Sequence, residues 1–422
     1  MLKKNEDAII AQPTKTILLL LVAMTGIAPI SLYMLVPALP AIAVTFSRDI
    51  SVVQMTVSLF MVGLAISQIV MGPLSDRFGR KPVLLGGLGL AVIASIGCVF
   101  ADSLPQLIVW RFLQALGGAT GMVISRAIIR DLYPRERVGG MISLVIAVMM
   151  IVQMLSPLMG GLVEIAFGWR AVFYALATGS AVVMLSIIAG LPETRRRTIA
   201  TDDTGFRKDF GALFAHRPFV GYVLCYVLAS SLIFVFAGGG PFIVVNQMGR
   251  SSAEYGAWFA TSGLAYLTGN LFSARFSPRI GIDRMIWIGL AIQIAGAMLN
   301  LLWGVLGLNQ TPAWLFGTHM LVTFANAFVM SNTAAGAISV RPQAAGTASG
   351  ILGFSQMGFG SFCSQGGAYL GGHFATPLPL NAAIVVLSLA CAAMMIFVVP
   401  RRHAMVTKDD VNKAEEEESA LL

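Results

Sequence analysis

The feature that most constrains this chain is a run of about 20 apolar residues, repeated twelve times with short charged segments between the repeats. A helix rises about 1.5 Å per residue and the hydrocarbon layer of a bilayer is about 30 Å thick, so each run is long enough to cross it once. The runs cover residues 17–39, 53–74, 83–101, 104–128, 138–166 and 169–191, then 219–240, 253–276, 285–306, 312–338, 346–372 and 378–400. A transmembrane barrel strand needs only roughly nine to eleven alternating residues, so the runs read as helices. Only 11% of the 422 residues are charged while 57% are hydrophobic, too few charges to coat a soluble globule. The expected fold class is an all-α membrane protein with twelve transmembrane helices.

Composition also excludes several functions. Cys98, Cys225, Cys363 and Cys391 each lie inside an apolar run with no CxxC spacing and read as small buried hydrophobes, so neither a metal site nor a cofactor is expected. The net charge of +8 comes from short basic clusters at intervals and not from one patch, which argues against nucleic acid. No GxxxxGK, HExxH or triad-like grouping occurs, so an enzyme is not expected.

If the amino terminus lies in the cytoplasm, the inner segments carry 23 of the lysines and arginines and the outer ones three, Arg48, Arg170 and Arg250. That asymmetry predicts both termini cytoplasmic in a plasma (inner) membrane. The first apolar run lacks a small-residue cleavage site and reads as a retained span. The longest inner segment divides the chain into six spans and six. The predicted organisation is an amino-terminal bundle over 1–191, a cytoplasmic linker over 192–218, a second bundle over 219–400, and a solvated, disordered tail over 401–422 that ends in an acidic run.

Between the second and third spans the chain reads GPLSDRFGRKP. Gly72 permits close helix approach, Asp76 places an acid beside a helix end, Gly79 allows a tight turn, and Arg77, Arg80 and Lys81 mark the inner face. This loop resembles the signature of the major facilitator superfamily. RFLQALGGATG from Arg111 is similar to the superfamily's membrane-arginine motif, and SPLMGGL from Ser156 to the Pro-Gly motif of antiporters. SQIVMGPLSDRFGRKPVLLGG, SRAIIRDLYP from Ser125 and AGTASGILGFSQ from Ala345 resemble the bicyclomycin and chloramphenicol resistance branch of drug:proton antiporters, over most of the chain from about Thr16 to Pro400. The resemblance implies the major facilitator fold of two six-helix bundles. It also implies a monomeric secondary transporter that exchanges an amphiphilic small-molecule substrate for protons.

Arg111 lies about seven residues inside the fourth span, and Gln114 follows it one turn later; a charge at that depth is costly unless it meets a cavity or a partner. Snorkelling toward the helix end is the other reading. By resemblance Arg111 assists coupling or substrate binding. In the fifth span Pro157, Gly160 and Gly161 allow bending and close packing, which serves either a plain helix contact or a seam that rocks between bundles. By resemblance Asp76, Arg80 and Asp131 exchange charge contacts, and the loop acid caps a helix of the other half so that the inner side is held shut.

In one respect the chain departs from the branch. Its relatives carry an acid in the first span, and the matching run here is SLYMLVPALP, with Tyr33 where that acid falls and no Asp or Glu between Asp7 and Asp49. Glu164 and His319 remain as titratable candidates, each with a plain reading, as an interfacial acid and a packing histidine. The expected binding cavity draws on Ser31, Tyr33, Met34, Gln68, Arg111 and Gln114. From the second half it draws on Tyr226, Phe234, Phe236, Asn270, Asn326, Asn332 and Gln356. Without an embedded acid, neutral or anionic substrates fit better than strongly cationic ones. The competing function is a carrier of one metabolite, such as an amino-acid derivative or a siderophore.

Overall fold

The computed structural model describes residues 15–133, 135–194, 210–308, 311–341 and 344–397. Most of the linker and the whole acidic tail expected from the sequence lie outside the described residues. Among the described residues there is no strand. The helices are α1 (Lys15–Leu35), α2 (Leu39–Phe46), α3 (Ile50–Val53), α4 (Met55–Phe78), α5 (Arg80–Val99), α6 (Leu104–Leu132), α7 (Arg135–Phe167) and α8 (Trp169–Gly190). A short helix, α9 (210–214), leads into the second half. There follow α10 (Arg217–Phe242), α11 (Ser252–Ile280), α12 (Ile282–Val305), α13 (Pro312–Ser339), α14 (Ala345–His373) and α15 (Leu378–Phe397).

Most predicted spans are one helix each, extended by up to a turn or so. The first is not. Pro37 and Pro40 remove two backbone donors within four residues, so the helix tightens into a 3-10 turn at Val36–Ala38 and resumes as α2. The crossing therefore ends at Phe46 and not at Leu39, because the apolar character continues past the break. Nine crossings among the described residues are long and apolar enough to span a membrane on their own. The other three, α7, α11 and α14, complete two bundles of six.

These three helices meet the opposite half: α7 packs on α11, and α4 packs on α14. A helix that faces another helix gains from small residues more than from apolar bulk, and α14 carries nine glycines. A Cβ on Gly256 of α11 would stand 2.5 Å from the carbonyl oxygen of Pro157, and one on Gly161 of α7 would stand 2.6 Å from that of Ser252. Gly160, one residue earlier, closes instead on the Met34 carbonyl of α1. The glycine pair thus fastens α7 to both of its neighbours.

The turn between α4 and α5 recurs between α11 and α12. Gly79 has φ +104° and ψ 153°, Gly281 has φ +91° and ψ 151°, and each donates its N–H to the carbonyl of a serine four residues back, Ser75 and Ser277. A side chain at such φ is strained, so glycine is required in both halves. The end of the molecule that bears these turns is called here the basic end, and the opposite one the far end.

Replacing Gly161 or Gly256 with valine forces α7 and α11 apart at the far end. Transport is expected to fall about tenfold or more, with membrane insertion near normal, as read from uptake into vesicles matched for protein content.

Candidate functional site

The site is built where α1, α6 and α7 of the first half face α10, α11 and α14 of the second. Tyr226, Tyr266, Gln153 and Gln356 sit many residues from any helix end, yet each is only half-buried. Polar side chains that keep accessible surface at this depth on the inter-bundle helices line a hollow between the halves. The Tyr226 hydroxyl donates to Gln356 Oε1 at 3.1 Å. Tyr33 and Gln153 share a hydrogen bond, as do Tyr266 and Asn270. Tyr33 lies against Phe259 of the second half, ring centroids 6.0 Å apart, and closes the hollow toward the far end. Buried Ser31 and Met34 stand next to it on α1. Gln68 of α4 abuts Gly353 of α14, and Phe234 of α10 lies with Met61 of α4 against Gly360.

Arg111 and Gln114 do not border this hollow, which corrects the expectation from the sequence. Both are buried inside the amino-terminal bundle, Arg111 at 0% exposure. Its Nη1 donates to Gln114 Oε1 at 2.5 Å and its Nε to the Thr56 carbonyl at 3.4 Å, while the guanidinium lies 4.0 Å from the centre of the Phe60 ring. Gln114 Nε2 passes the chain on to Ser95 Oγ at 2.6 Å. The cation is thus solvated by α4, α5 and α6 and ties them together.

Three candidates of the second half are likewise internal to their bundle. Asn326 donates to the Ala229 carbonyl at 2.9 Å, and Asn332 to Ser273 Oγ and the Phe328 carbonyl, both at 2.8 Å. His319 is buried and stacked on Phe236 with ring centroids 3.5 Å apart, and its Nδ1 has no partner. These side chains tie α13 to α10 and α11, and they lie apart from the first half.

The far end holds a polar seal that the sequence reading missed. Gln54 Nε2 donates to Ser364 Oγ at 2.7 Å, and Ser58 Oγ to Gln365 Oε1 at 3.0 Å. Gln365 Nε2 donates to the Ser51 carbonyl, and His373 Nε2 lies 3.5 Å from Asp49 Oδ2. Each of these contacts joins the two halves. The available signal was glutamine and serine on helices that meet the other half.

At the basic end the predicted charges do meet, within one half. Arg80 Nη1 is 2.5 Å from Asp76 Oδ1 and donates to Ser75 Oγ at 2.6 Å, and its Nε is 3.3 Å from Asp131 Oδ2. The carboxylate of Glu193, at the end of α8, accepts the backbone N–H groups of Arg80 and Lys81 at 3.0 Å each. Lys81 also donates to the Ile188 carbonyl, and Arg77 lies over the Phe78 ring. Gly72 faces Val123 of α6 across ordinary contact distance. The Asp76 side chain is 64% exposed, and its ion pair stays within α4 and α5, so the seal expected at this end is not the one that holds the halves in this state.

The Major Facilitator Superfamily model matches residues 21–365. The chain belongs to that superfamily. It is a multi-pass membrane transporter. Among relatives, it is 26% identical to the bicyclomycin resistance protein homolog of Haemophilus influenzae over 86% of this chain and 92% of that one. It is 31% identical to the chloramphenicol resistance protein of Pseudomonas aeruginosa over 69% and 70%, and 31% identical to the multidrug resistance protein MdtL of Escherichia fergusonii over 78% and 82%. The xylose transporter XylE of E. coli, in a partially occluded inward-open conformation, has the same fold with a TM-score of 0.71 at 14% identity, over 93% of this chain and 99% of that one. A bacterial homolog of the lysosomal transporter Spinster, inward-facing and unoccupied, superposes with a TM-score of 0.67 at 18% identity, over 91% and 94%.

Arg111→Ala leaves Gln114 Oε1 without its donor in a dry core and empties the space the guanidinium filled beside Phe60. It is expected to cost about 3 kcal/mol of stability, read as a lowered unfolding midpoint of the detergent-solubilised transporter.

The far-end seal has its own pH dependence. Hydrogen bonds from the Ser51 side chain and backbone, and then His373, hold the Asp49 carboxyl below its ordinary value. A lowered carboxyl contributes above its unfolded value of about 4 and loses that contribution as the pH falls through the folded value. Because the larger causes, both from Ser51, lie within the first half, Asp49→Asn should weaken the start of α3 at pH 7, while spin labels at Val44→Cys and Phe374→Cys should report the far end still closed by its glutamine and serine bonds. In the otherwise unaltered transporter the contribution of Asp49 should fade only below about pH 4.

Proposed function

We propose that this transporter is a drug efflux carrier of the plasma (inner) membrane, which expels amphiphilic small molecules in exchange for protons by alternating access. The observation that carries the reading is likeness over most of the chain to proteins named for bicyclomycin, chloramphenicol and multidrug resistance. In this reading the basic end and both termini are cytoplasmic, in keeping with the 23 to three distribution of lysine and arginine. The far end then faces outward, the seal of Gln54, Ser58, Ser364 and Gln365 is the outer gate, and the hollow serves the cytoplasmic side.

The two bundles, bounded near residues 191 and 219, rock about the α7–α11 and α4–α14 seams. Opening the outer gate breaks three side-chain hydrogen bonds and one exposed ion pair, together about 2–5 kcal/mol. A ligand shifts a two-state equilibrium from 1:99 to 99:1 with about 5.5 kcal/mol, so substrate binding is of the right size to drive the change. When the outer gate opens, Asp76, exposed in this state, becomes available to the second half at the inner end.

Exchange for protons has to work without a carboxylate at membrane depth. All the acids in the described helices, Asp76, Asp131, Glu164, Glu254 and Asp283 among them, fall in a first or last turn. The decisive test combines two measurements. Expression in a strain stripped of efflux pumps should raise tolerance to several unrelated compounds, chloramphenicol and bicyclomycin included. In proteoliposomes an imposed pH gradient should then drive uptake of the same compounds. A change in one growth requirement alone would replace efflux by a metabolite carrier, and uptake blind to the gradient would remove the proton.

A further inference from the structure

His319 is a buried ionisable group that neither the gate nor the hollow uses. It lies seven residues inside α13, about 10 Å from the far end of that helix. Of the four histidines it is the one within a span: His216 and His373 stand at helix ends, and His403 belongs to the tail. Its ring is covered by the Phe236 ring, 3.5 Å away with 11° between the planes, and its Nδ1 has no hydrogen-bond partner. Tyr255 of α11, fully buried, has a hydroxyl that also lacks one. A Cβ on Gly240 would stand 3.6 Å from both that hydroxyl and Cε1 of Phe236, so the hydroxyl neighbours the ring that covers His319. Two polar atoms left unpaired in one dry place need an explanation, and an ionisable group at membrane depth is a functional candidate.

No fixed charge supplies the explanation. On the helices around α13 the charged side chains stand within about two turns of a helix end: Arg217 on α10, Glu254, Arg275 and Arg279 on α11, Asp283 and Arg284 on α12. At the stack itself the other ionisable group is the Tyr255 hydroxyl. An imidazole changes charge in the ordinary range of cellular pH. One phenyl face replaces only a small part of the water that a charged ring would lose, so the stack holds the ring neutral and water would admit its proton.

Both moving parts of the transporter bear on the cover. Phe236 stands two residues before the run Gly238, Gly239, Gly240, Pro241, and Pro241 leaves the Ala237 carbonyl without its helical donor, so α10 bends easily there. Gly238 abuts the Ser364 carbonyl, and the Ser364 hydroxyl accepts the Gln54 hydrogen bond of the far-end seal. In the other direction rings run in contact from Phe236 through Phe316, Tyr255 and Phe259 to Tyr33, with centroids 5.1, 6.0, 5.8 and 6.0 Å apart in turn. Tyr33 belongs to the first half and closes the hollow.

We propose that His319 is the residue that carries the exchanged proton. Nδ1 takes a proton from far-end water when the seal parts and Phe236 moves off the ring. It gives that proton to the water of the hollow, past the Tyr255 hydroxyl, once the seal has re-formed, and the stack then closes over a neutral ring. The assignment rests on the proton-exchange reading above, and its test separates the two.

In proteoliposomes, uptake of chloramphenicol driven by a pH gradient is compared with counterflow, the exchange of labelled for unlabelled chloramphenicol at equal pH. His319→Gln should lower gradient-driven uptake about tenfold or more and leave counterflow within about twofold. Gradient-driven uptake that is unchanged in His319→Gln overturns the proposal and leaves proton exchange standing. Loss of both activities together assigns His319 to structure and also overturns it. Uptake by the unaltered chain that ignores the gradient removes proton exchange and this site with it. A second readout keeps the histidine in place: deuterium exchange at its C2 position, followed by mass spectrometry, reports water at the ring. In the unaltered chain His319 should exchange about tenfold or more slowly than His373, whose side chain is 37% exposed. Gln54→Ala with Gln365→Ala, which removes bonds of the seal, should speed His319 at least about threefold. A His319 rate that stays unchanged in that variant overturns the proposal, and this readout decides should the glutamine variant not fold.

Discussion

The close approach of α7 and α11 is the contact on which the arrangement of the two bundles depends. In lipid no hydrophobic effect pushes helices together, so they associate through van der Waals contact and interhelical hydrogen bonds, both of which need backbones to come near. Gly161 and Gly256 supply that nearness toward the far end, and Gly263 against Met154 continues it to mid-depth. Pro157 sits within this seam and leaves the carbonyl of Gln153 without its helical donor. The same Gln153 turns its side chain to Tyr33. The helix is therefore easiest to bend where the dry seam gives way to the polar hollow, which is where a rocking motion has to begin.

Two arginines on one helix show how surroundings decide what a buried charge does. Arg111 and Arg126 are fifteen residues apart on α6, about 22 Å along its axis. Near the far end α4, α5 and α8 converge on α6, so Arg111 is wrapped by a glutamine, a carbonyl and the rings of Phe60 and Phe173. Toward the basic end α6 stands beside α1 and α7, whose packing leaves space, and Arg126 borders that space. The motif that drew attention to Arg111 marks a structural tie, and the arginine that borders the small space between α1, α6 and α7 belongs to SRAIIRDLYP, a stretch that was informative only as a likeness.

Span number, helix class and the loop signature were all legible in the sequence because they rest on local properties: hydropathy over 20 residues, and a glycine that only a positive φ explains. Membership of the superfamily was legible for the same reason. The facing of individual side chains was not. Asn326, Asn332 and His319 looked like cavity candidates because they are polar residues at membrane depth, and a polar residue is as well satisfied inside one bundle as between two. Deciding between those outcomes requires the rotation of each helix against its neighbours, which periodicity does not supply when every face is apolar. Gln54, Ser58 and Gln365 were passed over because they lie near helix ends, where polar residues are ordinary.

The repeated turn shows where the two halves have diverged. Gly79 and Gly281 hold the same backbone shape, so the fold repeats its turn, but the two residues that follow differ: the basic pair Arg80 and Lys81 in the first half, Ile282 and the acid Asp283 in the second. In the first half Arg80 draws Asp76 and Asp131 together, and Glu193 caps the start of α5. In the second, Asp283 accepts a hydrogen bond from Tyr222 at 2.6 Å and joins α12 to α10. The first turn is thus braced by charges that water and a moving partner reach easily, and the second by a neutral donor that draws it into its own bundle. In the first turn the Asp76 side chain is 64% exposed, which leaves it within reach of a moving partner.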